Sequence, residues 1–157
     1  MEIKENMTLQ MKNVLSYRGK MSQQDMMKKS QEIEQVMKEM GVVKAGPSAT
    51  TTFSVEQGSS GPIMDIEILI PIDKEIKAPV EYTFKPEIRL VNALMITHIG
   101  NPAGLENTLD ELNAYIQKHK LTPITTGYNV TAKEPKAREE LDTMEIDIYV
   151  GISPNIL

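Results

Sequence analysis

The chain has 157 residues, 40% of them hydrophobic and 25% charged, proportions that suit one folded domain or two small units sharing a core. A net charge of −5, with lysines interspersed among acids, argues against direct binding to the phosphate backbone of nucleic acid, and the absence of cysteine excludes a disulfide framework, a thiol nucleophile and a zinc ribbon. No segment approaches the ~18 uninterrupted apolar residues of a membrane span, and Met1–Asn6 lacks the basic start and apolar run of a signal peptide, so the expected address is cytoplasmic.

Along the chain, Leu15–Gly19 reads as a strand that ends at a glycine. Ser22, with Asp25 three places on, forms the start of a capping box. Met26, Ile33, Val36, Met37 and Met40 then mark an amphipathic helix that Gly41 stops. Ser48–Val55 is β-like. Met64–Ile72 alternates apolar and other residues, as a strand with one buried face does. Asp73–Glu81, with mixed charges and Pro79, reads as a connector.

The second half repeats the pattern. Ile96–Gly100 is a strand that again closes on glycine, and Asn101 and Pro102 open a helix. Leu105, Leu109, Leu112 and Ile116 give that helix its apolar stripe, and Lys118, His119 and Lys120 place cations at its end. Thr125–Thr131 is β-like, and a charged excursion over Lys133–Asp142, with a short helix after Pro135, precedes the last strand. That strand, Met144–Ile152, matches Met64–Ile72 on both faces, 80 positions downstream.

The expected fold class is therefore α+β: duplicated β-α-β-β units with antiparallel sheets, one amphipathic helix per unit and a pseudo-twofold between them. The whole chain, 1–157, forms one domain of two repeats, 7–73 and 82–153, joined by the connector 74–81. The isoleucine face of each final strand should pack on its helix. The other face carries Glu67 and Leu69 in one repeat, Asp147 and Tyr149 in the other. A groove between the repeats lined by these residues would be a natural place for a ligand. The eleven methionines either fill the core or line that groove.

The order of elements, its duplication and the short motifs resemble the gyrase-inhibitory-protein-like (GyrI-like) family. The motifs are His98-Ile99-Gly100 before a helix and Asp147-Ile148-Tyr149-Val150-Gly151-Ile152 at the close, where Gly151 replaces a proline that Ile70-Pro71-Ile72 keeps. The resemblance covers about residues 7–153 and implies a small-molecule-binding module. In bacterial multidrug-responsive activators such a module senses an effector. It further implies an amphipathic, often cationic or aromatic ligand, with Asp147 as the assisting acid, Tyr149 beside it, Glu67 as its counterpart and Tyr128 as a further aromatic. The family often lines its cleft with tryptophan, which this chain lacks, and its regulators carry a DNA-binding segment that is not expected here, so a stand-alone member is the expectation.

Each candidate has a plainer reading. Glu67 and Asp147 could sit on the wet face of an antiparallel sheet, and Tyr149 could be only a good strand former. His98 fits a structural role or a general base, and His119 a surface complement to the helix dipole. Asp65 with Glu67 and Glu145 with Asp147 lack the His or Cys expected of a metal site. Gly100–Gly104 lacks the Lys-Ser/Thr ending of a phosphate loop. No metal, cofactor or catalytic residue is therefore expected. The family resemblance also implies two alternatives: a hydrolase of strained cyclopropane-type genotoxins that uses the groove acids and tyrosine, and a protein-interaction factor such as a gyrase modulator. The sequence names no protein partner.

Overall fold

Residues 2–133 and 143–155 are described by the computed structural model. In chain order they form β1 (Ile3–Met21), α1 (Gln23–Met40), β2 (Ala49–Gly58), β3 (Gly61–Pro71), β4 (Thr83–Ile99), a 3-10 turn (Pro102–Gly104), α2 (Leu105–Lys118), β5 (Tyr128–Lys133) and β6 (Glu145–Gly151). Strand, helix, strand, strand thus occurs twice, in an α+β chain. The short helix expected after Pro135 lies outside the described residues. None of the described helices is long and apolar enough to cross a membrane.

Local chemistry sets the helix ends. At α1 the Ser22 side chain accepts from the Asp25 amide while Asp25 reaches back to the Ser22 amide, which satisfies two donors that the first turn leaves open. Gly41 closes the helix in the left-handed conformation, φ 69°, where a Cβ is costly. The second helix starts later than its sequence suggests. Asn101 caps the amide of Ala103 in the 3-10 turn, and the α-helix proper begins at Leu105.

The chain divides into two compact units, Met11–Ile88, and Met1–Gln10 with Arg89–Leu157. In the first, β3 pairs antiparallel with β1 on one side and β2 on the other. Its core joins Ile33 and Met37 of α1 to Leu15, Met21, Ile66, Ile68 and Ile72. In the second, β6 pairs antiparallel with β4 and β5, and Leu112 and Ile116 of α2 meet Leu94, Ile96, Ile146, Ile148 and Val150. The isoleucine face of each final strand packs on its own helix, as the alternation requires. Met21 and Met37 are buried in the first core, with Met26, Met40 and Met64 packed against it, so these methionines act as filler.

The backbone repeats in finer detail than the sequence reveals. Register slips once in each second hairpin, between Thr52 and Ser54 and between Thr131 and Lys133. Phe53 and Ala132 are thus the extra residues of matching bulges. Asn13 and Asn92 both take positive φ, 53° and 54°, a region that asparagine enters more readily than most residues. Their carbonyls accept the amides of Ile72 and Ile152.

Pairing also corrects one alignment. Gly19 does not end a strand: β1 runs on to Met21, and Gly19 lies opposite Ile66. His98 lies opposite Ile146, so Gly19 occupies the place of His98, and Met21 that of Gly100. The two glycines serve different ends. Gly100 adopts φ 121°, whereas a Cβ on Gly19 would come within 2.9 Å of the Tyr17 hydroxyl.

Candidate functional site

Residues paired directly across a sheet share a face. On the face of β3 turned away from α1, Glu67 lies between Arg18 of β1 and Thr51 of β2, and Leu69 lies between Ser16 and Ala49. This is not the wet surface that alternation alone allows. Glu67 is 6% exposed, and Leu69, Ser16, Ala49 and Thr51 are buried with it.

A carboxylate held out of water needs donors. Ser16 supplies its hydroxyl to Glu67 Oε2, and Lys85, at the start of β4, brings its ammonium to the same oxygen at 2.5 Å. The lysine side chain remains 37% exposed while that of glutamate is 7% exposed, so the pair joins a buried anion to a cation reaching in from water. Toward the Asp65 end the face turns polar. Arg18 there binds Asp65 through two nitrogens and covers the Phe53 ring at 3.7 Å. The Arg18 guanidinium, through its hydrogen bond first and its charge second, holds the Asp65 carboxyl below the usual carboxylate range.

The corresponding face of β6 has other contents. Asp147 lies between Thr97 and Val130, and Tyr149 between Met95 and Tyr128. Asp147 accepts from the Thr97 hydroxyl at 2.7 Å. Asp147, Tyr149 and Tyr128 are half-buried, while Met95 and Val130 beside them are buried. Burial pushes the Tyr149 phenol above its ordinary range, and the charge of Asp147 adds to the shift. At neutral pH this phenol keeps its proton. The second face is thus a half-open surface of one acid, two phenols and a thioether.

His98 is explained by structure. It is 4% exposed, with Nε2 2.9 Å from the Asn101 carbonyl and Nδ1 2.8 Å from the Thr108 hydroxyl. A carbonyl only accepts, so Nε2 carries a proton toward Asn101, and Nδ1 shares a hydrogen bond with the Thr108 hydroxyl. The ring ties the end of β4 to the start of α2, and Gly104 leaves room for it, since a Cβ there would lie 3.3 Å from the ring. His119 closes α2, its ring 4.1 Å from that of Tyr115. Among the described residues no three His, Asp or Glu side chains gather as a metal set.

The five candidate residues therefore fall into two groups: Glu67 with Leu69 in the first unit, and Tyr128, Asp147 and Tyr149 in the second. Sequence reasoning missed Ser16, Thr51 and Lys85 around Glu67, and Thr97 and Met95 on the other face. Alternation in β1, once its register is known, would place Ser16 beside Leu69; Lys85 carries no comparable signal. Two hollows in the second unit lie elsewhere. One, of about 250 Å³, is bounded by Glu5, Asn92 and Ser153, and the other, of about 570 Å³, by Asn113, Gln117 and Thr125. None of the five lines either.

No family model matches the chain, and no curated protein matches it in sequence. Solved structures do match in fold. The crystal structure of the EcmrR C-terminal domain has a TM-score of 0.73 at 15% identity, over 98% of this chain and 99% of that one. The EcmrR–DNA complex gives the same TM-score at 16% identity over 96% of this chain, which spans only 56% of that longer one. A hydrolase from Listeria innocua follows with a TM-score of 0.61 at 14% identity, over 97% of this chain and 91% of its own. SAV2435, solved bound to tetraphenylphosphonium, has a TM-score of 0.50 at 10% identity, over 98% of this chain and 93% of its own. At such identities the likeness is one of fold.

Proposed function

We propose that the chain is a small-molecule-binding protein of the GyrI-like kind that takes an amphipathic, cationic or aromatic ligand on the helix-free faces of β3 and β6. Glu67 and Leu69 are the candidate contacts on the first face, and Tyr128, Asp147 and Tyr149 those on the second. The observation that carries this reading is Glu67, a carboxylate kept 6% exposed in the company of Leu69, Ala49 and Thr51. An anion in such surroundings attracts a lipophilic cation far more strongly than one in water does, and phenol faces such as Tyr149 and Tyr128 add cation–π attraction. The fold shared with SAV2435, which binds a lipophilic cation, supports the same ligand class.

Calorimetric titration with tetraphenylphosphonium tests it. Saturable binding is expected, weakened severalfold or more in both Glu67→Gln and Asp147→Asn. Absence of saturable binding to this cation and to a panel of cationic dyes, or affinities untouched by both substitutions, overturns the reading.

A second reading is hydrolysis. The protonated Tyr149 phenol beside the Asp147 carboxylate, on a fold shared with a hydrolase, favours it. Here Asp147 would orient water and Tyr149 would donate to a developing negative charge. Turnover of a strained cyclopropane compound above the buffer rate, abolished in Asp147→Asn, separates catalysis from binding alone.

A further inference from the structure

We infer that Lys85 is a tethered competitor for the cation site: its ammonium occupies the Glu67 carboxylate, and a ligand must displace it to bind. This rests on the reading of Glu67 as a ligand carboxylate and names the residue that sets which cations succeed there.

The geometry gives the argument. Removing one partner of a buried ion pair is costly because it strands the other charge. Glu67 is the buried member, and Ser16 gives it a hydrogen bond but no charge. Lys85 is the member that can leave. Its side chain is 37% exposed, so the freed ammonium returns to water a short swing away and its four-carbon stem regains rotamer freedom. An incoming cation that takes its place keeps Glu67 neutralised throughout the exchange.

The exchange discriminates among cations. A compact, strongly hydrated cation gives up as much hydration as Lys85 regains and offers no apolar surface to Leu69, Ala49 and Thr51. A bulky cation with delocalised charge loses little hydration and buries apolar area. The lysine thus sets a threshold that small amines do not cross and lipophilic cations do.

The test uses tetraphenylphosphonium as probe, with the full chain. Lys85→Gln, which keeps a polar side chain but no charge, is expected to tighten binding about tenfold, the equivalent of one modest ion pair. Lys20→Gln removes an equally positive but exposed charge that pairs with Glu56 and should leave the affinity unchanged, which separates displacement from a general field effect. Adding Glu67→Gln to Lys85→Gln should erase the gain. A measurement on the unsubstituted protein stands independently of how the variants fold. Acetylation of Lys85 by acetic anhydride, followed by peptide mass spectrometry, should run severalfold faster once tetraphenylphosphonium saturates the protein.

If the unsubstituted protein binds the probe but Lys85→Gln binds no tighter, or Lys85 acetylation does not rise on saturation, the competitor role is overturned while ligand binding stands. If neither protein binds, both ideas fall.

Discussion

The strands β3 and β6 occupy equivalent places in two equivalent units, yet their helix-free faces are chemically unlike. Each runs between two antiparallel partners, each packs isoleucines on a helix, and each neighbouring hairpin slips register at the same point. Glu67 and Asp147 stand at matching positions, but Glu67 is enclosed with a serine and a lysine, and Asp147 is half-buried with a threonine and a tyrosine. Backbone hydrogen bonding and the apolar core fix the first set of features, because a change there is felt across the whole unit. The helix-free faces differ even where they are buried: Leu69, Ala49 and Thr51 beside Glu67 are enclosed, while Asp147 and Tyr149 are half-buried. Duplication therefore yields one scaffold with two independently adjustable surfaces.

The largest test of that equivalence lies in the cores. Ile148 is 0% exposed and Ile68 7%. Ile148→Ala should cost about 2–5 kcal/mol, and Ile68→Ala should fall at the low end of that range. Urea unfolding monitored by circular dichroism measures both, and a clearly larger loss at Ile68 breaks the correspondence. A smaller effect comes from a place where the units differ. His98→Ala removes the hydrogen bonds to the Thr108 hydroxyl and the Asn101 carbonyl, at about 1–3 kcal/mol. Gly19→Ala at the matching position presses on the Tyr17 ring but removes no side-chain hydrogen bond, and should cost less. Equal losses would mean that the His98 bonds contribute nothing particular.

The subtlest difference is one of pH. The Tyr149 phenol is raised above its ordinary value in the folded protein, so its contribution to stability is fully present below the unfolded value of about 10 and is lost as pH rises through the folded value. Leu69 holds the corresponding place in β3 and cannot titrate. Stability of the unsubstituted protein should thus fall more steeply with alkali than that of Tyr149→Phe. Identical slopes in denaturant titrations across that range would show that the phenol is not held back by its surroundings.

Much of the scaffold is legible in the sequence because its causes are local. Alternation at 64–72 and 144–152 reports two strands, Ser22 with Asp25 reports a helix start, and the stripe through Leu112 and Ile116 reports the buried side of α2. The offset between the first strands is harder to see. Gly19 and Gly100 look like the same punctuation, but one relieves crowding by Tyr17 and the other permits a turn. The bulges at Phe53 and Ala132 carry no Gly or Pro to announce them. The setting of Glu67 is the least legible of all. Ser16 is 51 positions away and Lys85 is 18, and nothing in local spacing links either to it. Alternation tells which residues share a side, while the folded chain decides whether that side is wet.

Asn13 and Asn92 have one further use. Each interrupts a long strand with a left-handed residue whose carbonyl anchors the amide just past the neighbouring strand's end. Such a kink cannot drift along the chain without breaking that bond, whereas helix lengths and loops drift freely. These two asparagines are therefore fixed milestones. Comparisons of distant sequences, where matching letters have all but vanished, gain most by pinning the two halves there first and letting everything else find its place.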